Sequence, residues 1–103
     1  MSRRLDGITD WSMLMARADY RVAALAGHCN ITERQLRRYV RLKFGKTPHA
    51  WLTEERLARA TELLAHGALV KETAAETGFK QPGHFSRVFK KHFKRNPRSD
   101  NQK

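Results

Sequence analysis

The most informative stretch of this sequence is residues 33–48, which read ERQLRRYVRLKFGKTP. Leu36, Val40 and Phe44 recur at intervals of four, the spacing that places apolar side chains on one buried face of a helix. Four arginines stand at i, i+3, i+4 and i+7 on the opposite face: Arg34, Arg37, Arg38 and Arg41. The stretch predicts a helix over about 33–44, with a buried stripe on one side and a cationic face on the other.

The same pattern returns about 49 positions later in the chain. Phe85, Val88, Phe89 and Phe93 form a second apolar stripe, and cations again stand at i, i+3, i+4 and i+7: Arg87, Lys90, Lys91 and Lys94. Each stripe is preceded by a small residue and, a few positions later, by an Asn or Gly and an apolar residue. This combination suits a tight turn between two crossing helices. These residues are Ala26, Asn30 and Ile31 in the first copy and Ala74, Gly78 and Phe79 in the second. The repeat predicts two helix-turn-helix copies.

The predicted fold is all-α, with about seven helices, because good helix formers dominate and strand-like alternation is weak. Two helix-turn-helix subdomains are joined by a long central helix. The predicted order is a flexible lead over 1–8, a first helix-turn-helix subdomain over 9–47, a linking helix over 48–66, a second helix-turn-helix subdomain over 67–98 and a tail over 99–103.

Several local predictions accompany this fold. Asp10 or Thr9 caps the first helix, and a second helix runs from about Tyr20 to His28. Asn30 takes the left-handed conformation that ends a helix. Further predictions concern groups of side chains: the apolar stripes bury Phe44 and Ala75 with their neighbours, and Arg56 and Arg59 form a surface or capping pair, one of which touches a linking turn.

Positive charge is concentrated in the two copies. The 103 residues include 21 Lys and Arg against 10 Asp and Glu, a formal net charge of +11. Residues 34–46 and 80–98 contain six and seven basic residues and no acid, whereas 47–79 contains three basic and five acidic residues. A single cationic tail would place its charge at one end instead. This distribution indicates a binding module for nucleic acid, an anionic membrane or an acidic protein.

The sequence offers no basis for enzymatic, metal or membrane chemistry. The lone Cys29 excludes an intramolecular disulfide and a Cys-rich zinc site, and the five histidines lack ligand spacing. A glycine-rich phosphate loop, a Gly-x-Ser-x-Gly elbow, a signal peptide and an apolar run of ~20 residues are all missing. We expect a protein that is not an enzyme, needs no cofactor or metal, and works in the cytoplasm in association with the nucleoid.

An arginine-lined helix suits the major groove of DNA, because the guanidinium fork can bond guanine O6 and N7 together, with about 1–3 kcal/mol of discrimination for each good pair. Residues near the helix N-terminus usually reach bases, while later ones meet phosphate. Base contacts are predicted for Arg34, Arg37 and Arg38, and for Arg87 with Gly83 and Ser86 on the same face. Phosphate contacts are predicted for Thr32, Arg41, Lys43, Lys46, Lys80, His84, Lys90 and Lys91.

Residues from about Trp11 to Pro97 resemble the DNA-binding domain of the AraC/XylS family of bacterial transcription regulators. The motifs are Leu25-Ala26…Asn30-Ile31-Thr32…Leu36-Arg37-Arg38…Phe44-Gly45-Lys46-Thr47-Pro48, Arg56-Leu57…Ala60…Leu63-Leu64, and Ala74-Ala75…Gly78-Phe79…His84-Phe85-Ser86-Arg87-Val88-Phe89-Lys90. The resemblance implies two recognition helices, over about 33–44 and 82–94, in adjacent major-groove segments of bent double-stranded DNA. Carried over by position, the base-facing residues are Arg34, Arg37, Arg38, Gly83, Ser86 and Arg87.

The second copy departs further from the family pattern than the first. Pro82 and Gly83 stand where family members often have polar side chains, Ala74-Ala75 replaces a bulkier pair, and Lys94 replaces a usual Gly. We therefore hypothesise that the first recognition helix supplies most of the specificity and the second mainly phosphate affinity.

Most members of this family carry an additional domain that senses a small molecule or dimerises, but here only about ten residues precede the first predicted helix. We therefore expect a regulator without an effector domain that binds an asymmetric site as a monomer, as the family's stand-alone members do. RNA polymerase is a further candidate partner, since the basic faces could bind an acidic protein. Two other readings stay open: an architectural protein that binds DNA with low specificity, and a truncated remnant of a longer regulator. For either helix taken alone, the simplest alternative to a DNA-binding role is a basic face that is only exposed to solvent.

Overall fold

The computed structural model describes residues 3–100 of the chain, which are helical and contain no strand. The helices are α1 (Arg3–Asp6), α2 (Trp11–Arg17), α3 (Val22–His28), α4 (Glu33–Phe44), α5 (Pro48–Ala65), α6 (Val70–Glu76) and α7 (Pro82–Phe93), followed by a 3-10 helix over Pro97–Asp100. This order confirms the predicted all-α class. None of the helices described is long and apolar enough to span a membrane. The chain divides into two compact units between Glu55 and Arg56, within α5.

The first unit has one apolar core, to which several helices contribute. Met15 of α2, Leu25 of α3, Leu36 of α4 and Leu52 of α5 are all buried in it. Asp10 caps α2 as predicted, because its carboxylate accepts a hydrogen bond from the backbone N–H of Met13 at 2.9 Å.

The turn between α3 and α4 has the predicted geometry. Asn30 adopts a φ of 57°, in the left-handed region. The N–H of Ile31 donates to the carbonyl of Ala26 at 3.1 Å, which closes the end of α3. Thr32 then begins α4 with a capping box: its hydroxyl accepts from the N–H of Gln35 at 3.1 Å, and the Gln35 side chain accepts from the N–H of Thr32 at 2.9 Å. The start of α4 is therefore fixed by reciprocal bonds.

Two predictions for the first unit require correction. The lead over 1–8 is not wholly flexible, because α1 forms within it and Leu5, only 1% exposed, joins the first-unit core. The three apolar residues of this lead, Met1, Leu5 and Ile8, are too few to give a sustained periodic signal. The second helix begins at Val22 rather than at Tyr20, because Asp19 and Tyr20 have φ values of 53° and 57°, which a right-handed helix excludes.

The second unit repeats the turn of the first. The N–H of Phe79 donates to the carbonyl of Ala74 at 2.9 Å, the counterpart of the Ile31–Ala26 bond in the first unit. Gly78 supplies the left-handed residue, with a φ of 79°. The core of this unit includes Leu57, Leu64, Ala74, Phe79, Phe85 and Phe89, all buried.

Arg56 ties α5 to this second turn. Its Nε donates to the carbonyl of Thr77 at 2.8 Å, and its guanidinium lies 3.7 Å from the centroid of the Phe79 ring. Arg59 instead forms a surface pair with Glu62 at 3.3 Å. The prediction that one of the two arginines touches a linking turn is thus confirmed for Arg56.

Two apolar side chains are more exposed than predicted. Phe44, the last residue of α4, is 38% exposed, although its ring still stacks on Trp51 at 5.0 Å. Ala75 is exposed because α6 turns Thr73 and Ala74 inward instead, and the buried Thr77 follows directly after its last residue. The buried Thr77 hydroxyl is satisfied by donating to the carbonyl four residues earlier at 2.7 Å.

Candidate nucleic-acid interface

The exposed face of α4 is cationic, as predicted. Leu36, Tyr39 and Val40 are buried on the opposite side of the helix. The exposed residues include the four predicted arginines: Arg34, Arg37, Arg38 and Arg41. Among the side chains that the structure describes, no carboxylate lies within ion-pair distance of any of the four. Their guanidinium groups are therefore available to an anionic ligand.

The N-terminus of α4 carries Thr32, which was assigned a phosphate contact. Its hydroxyl already accepts the capping bond from Gln35, so its hydrogen atom remains for donation to a second acceptor. Glu33, exposed beside it, places a negative charge at the N-terminus of α4, where it interacts favourably with the partial positive charge of the helix dipole.

The last predicted phosphate contacts of the first unit are each paired with an acid. Lys43 Nζ lies 3.3 Å from Asp6 Oδ1, which also accepts from the Tyr39 hydroxyl at 2.9 Å. Lys46 Nζ lies 2.9 Å from the Glu54 carboxylate. The Tyr39 bond, followed by the Lys43 bond, holds the pKa of Asp6 below its ordinary value. Burial, with help from Asp6, raises the pKa of Tyr39.

The predicted base contacts of the second unit lie at the start of α7. Gly83 and Arg87 are exposed and Ser86 is half-buried, while Phe85 and Phe89 point into the core. A Cβ built at Gly83 would meet no other atom within 4 Å, so the helix surface is open at this point. This side of α7 thus offers one guanidinium, one hydroxyl and an unobstructed backbone.

The predicted phosphate contacts of the second unit are all exposed: Lys80, His84, Lys90 and Lys91. The His84 ring packs edge-on against Phe79 at 5.4 Å, which anchors it beside the turn. Over residues 3–100, these three lysines have no carboxylate within ion-pair distance. The cations of α7 therefore differ from Lys43 and Lys46, whose charges are already paired.

A groove of about 930 Å³ opens beside the start of α7. Its lining combines the starts of α6 and α7 with the 3-10 helix: Leu69, Val70, Lys71, Pro82, Gly83, Ser86, Asn96, Pro97 and Arg98. It brings Lys71 and Arg98 near two predicted base contacts, and neither cation was assigned a role from the sequence. Lys71 lies in the acidic connector, so the charge count alone gave no signal for it.

Helices α4 and α7 end in the same way. Gly45 has a φ of 70° and its N–H donates to the carbonyl of Arg41 at 3.0 Å. Lys94, where the resemblance implies Gly, has a φ of 63° and its N–H donates to the carbonyl of Lys90 at 2.8 Å. The backbone therefore keeps the glycine conformation although the residue has changed.

Two helix-turn-helix copies, each with a cationic second helix, define a helix-turn-helix DNA-binding domain. A family profile described as a helix-turn-helix domain matches residues 25–102. Together with the similarities below, this match shows that the chain belongs to the AraC/XylS family of transcription regulators, as the sequence motifs implied.

Relatives of known role are transcription regulators rather than enzymes. The HTH-type transcriptional activator RhaS of Escherichia coli O1:K1 / APEC is 36% identical over 80 residues, which are 77% of this chain and 29% of that protein. RhaS of Escherichia coli O9:H4 (strain HS) is 35% identical over the same length. The chain spans less than a third of the length of these relatives.

Solved structures show the same fold. An AraC-type regulator from Chromobacterium violaceum superposes with a TM-score of 0.73 at 27% identity, over 86% of this chain and 82% of that one. The C-terminal domain of the response regulator yesN from Fusobacterium nucleatum subsp. nucleatum ATCC 25586 gives a TM-score of 0.75 at 19% identity, over 87% and 91%. The individual DNA contacts assigned above remain predictions.

Proposed function

We propose that this chain reads a specific sequence in double-stranded DNA by placing α4 and α7 in adjacent segments of the major groove. The observation that carries the proposal is the outer face of α4. Four arginines are exposed there without acidic partners among the residues described, on a helix fixed by a capping box and buried on its other side. A rigid row of guanidinium forks is suited to reading guanines.

Each recognition helix has a distinct part in this proposal. Arg34, Arg37 and Arg38 lie in the first turns of α4, where side chains reach base edges. Arg41 lies one turn further along and meets phosphate. On α7, Arg87 is the main base-reading residue, and the neighbouring lysines hold the DNA backbone. The first unit therefore supplies most of the sequence discrimination, and the second mostly affinity.

The proposal includes monomeric binding to an asymmetric site. One chain already carries two recognition helices of equal length, so a second subunit is not needed to supply the second contact. A contact with RNA polymerase is the further step by which such a bound protein would change transcription.

The test is a selection from random duplex DNA with the purified chain at about physiological salt. We expect two enriched boxes about 34 Å apart, one helical turn, because each helix reads one groove segment. The enriched duplex should bind at least about 10³-fold more tightly than random duplex. Binding without enrichment would replace the proposal with low-specificity, architectural binding. No binding to any duplex would contradict both.

A further inference from the structure

The acids of the first unit are distributed unevenly over its cations. The arginines predicted to read bases have no carboxylate within ion-pair distance in the described part of the chain. Lys43 and Lys46, which are predicted to meet phosphate, each hold one: Asp6 at 3.3 Å and Glu54 at 2.9 Å. Both pairs lie where α4 ends. Both paired cations are thus predicted phosphate contacts, and no predicted base contact is paired, although Arg41, also a predicted phosphate contact, has no carboxylate partner among the described residues.

We infer that Asp6 and Glu54 act as internal competitors of DNA phosphate and so limit the affinity of the first unit for DNA of any sequence. The inference rests on the proposed function, because it assumes that Lys43 and Lys46 face the DNA backbone. When a lysine leaves a carboxylate to bind a phosphate, the freed carboxylate attracts a cation in turn, so that the net release of counterions is smaller. The arginines predicted to read bases have no carboxylate to leave when they bind DNA.

The pairs are placed where such exchange is easy. The side chains of Lys43 and Lys46 are 47% and 37% exposed, and those of Asp6 and Glu54 are 39% and 47% exposed. Pairs this open to solvent contribute little to folding, so a phosphate can replace the carboxylate without disturbing the core. The Asp6 carboxylate is also held by a hydrogen bond from the Tyr39 hydroxyl, and Glu54 projects from α5.

Limiting sequence-independent affinity has a consequence for a regulator. A genome offers a very large excess of non-specific sites, and phosphate contacts bind all of them alike. Weakening those contacts in the first unit raises the share of its binding that depends on bases. The unpaired lysines of α7 supply affinity without this restraint.

The decisive variant is Glu54→Gln, which removes the charge but preserves the size and hydrogen-bonding capacity of the side chain. With a short duplex of random sequence as the probe, we expect it to bind about three- to eight-fold more tightly at about 0.1 M salt, the upper figure corresponding to one further phosphate neutralised. The slope of log affinity against log salt should steepen by up to about 0.9. Asp6→Asn, which keeps an acceptor for Tyr39, should act in the same direction.

The matched control is Glu62→Gln. It removes one negative charge from the same helix, but Glu62 pairs with Arg59, which was assigned no DNA contact. Its effect should stay below about two-fold, since only the long-range field changes. In a Lys46→Ala background, Glu54→Gln should lose its effect, because the competition acts through Lys46.

Three outcomes would overturn the inference. Glu54→Gln could bind no more tightly than the wild type, or more weakly, as expected if the carboxylate only positions the lysine. It could also tighten binding equally in the Lys46→Ala background, or no more than Glu62→Gln does. If the wild type binds the random duplex with a normal salt slope in these cases, only the competition is wrong. If the wild type binds no duplex at all, the proposed function fails as well.

Discussion

On α4 the outward positions hold Arg34, Arg37, Arg38 and Arg41, whereas the matching positions of α7 hold Gly83, Ser86, Arg87 and Lys90. The backbone beneath them is the same: both helices have 12 residues, and both end at a residue in the left-handed conformation. The turn before each helix closes with the same backbone bond, from Ile31 to Ala26 and from Phe79 to Ala74.

The comparison shows that two units can share one helix-turn-helix backbone while carrying different outward side chains. That backbone depends on buried stripes, caps and turns, which both units have. The proposed reading of DNA depends instead on forked guanidinium donors at outward positions, of which α4 has four and the matching positions of α7 have one. The acidic side chains also differ between the units: Asp6 and Glu54 pair with cations of the first unit, and no described ion pair involves α7.

The largest expected effect concerns salt. If about six to ten phosphates are neutralised, affinity for duplex DNA falls by about 10³–10⁵ between 50 and 200 mM salt. Lys90→Ala with Lys91→Ala should reduce the magnitude of the log–log slope by about 1.8, because both lysines are proposed to contact phosphate without acidic competitors. Lys43→Ala with Lys46→Ala should reduce it less. Equal reductions in slope for the two double variants, measured by fluorescence titration, would contradict the proposed difference between the paired lysines of the first unit and the unpaired lysines of α7.

The next effect concerns the stability of the second unit. Arg56→Ala should lower the free energy of unfolding by about 2–4 kcal/mol, because it removes a charged hydrogen bond to the Thr77 carbonyl and a cation–π contact with Phe79. Arg59→Ala is the matched control, and should cost less than about 1 kcal/mol because its only described pair is on the surface. Urea unfolding measures both. Similar losses would show that Arg56 does not hold the turn.

A smaller effect tests the shared ends of the recognition helices. Lys94→Gly should stabilise the chain by about 1 kcal/mol, because a side chain in the left-handed region is strained. Gly45→Ala should destabilise it by about the same amount, since no contact within 4 Å of the new Cβ adds a further term. Thermal unfolding gives both values. A loss of stability in Lys94→Gly would mean that the lysine makes a compensating contact.

The smallest effect concerns acid. Because the folded-state pKa of Asp6 is lowered, its contribution to stability is present above its ordinary value of 3.8 and is lost as the pH falls through the folded-state pKa. The difference in Tm between the wild type and Asp6→Asn should therefore close as the pH falls below 3.8. Tyr39→Phe should reduce that difference at neutral pH, since it removes the largest cause of the shift. A difference that persists at low pH would contradict the assignment.

The sequence was sufficient for the features that depend on local pattern. The apolar spacing of α4, the capping residue Asp10, and the turn residues Asn30 and Gly78 each predict a structure that forms from neighbouring positions. The 49-residue repeat was visible because matching residue types recur at matching positions. The exposure of the candidate DNA-binding residues followed from the same periodicity.

The features that the sequence did not predict join distant segments. Leu5 enters the core and Asp6 reaches Lys43, and nothing in a polar lead of eight residues indicates either contact. Lys46 pairs with Glu54 across the start of α5. Lys71 and Arg98 meet at one groove although they belong to separate segments. Each depends on tertiary packing, which periodicity and charge counts do not encode.

The difference between the two recognition helices is tested most directly by repeating the selection from random duplex DNA with Arg37→Ala and Arg87→Ala beside the wild type. We expect Arg37→Ala to lose about 1–3 kcal/mol of discrimination at one base pair in the box read by α4. Arg87→Ala should lose less discrimination, confined to the box read by α7, and should leave the box read by α4 recognisable. Equal loss of discrimination in the two variants, or a greater loss in Arg87→Ala, would contradict the assignment of sequence reading to the first unit.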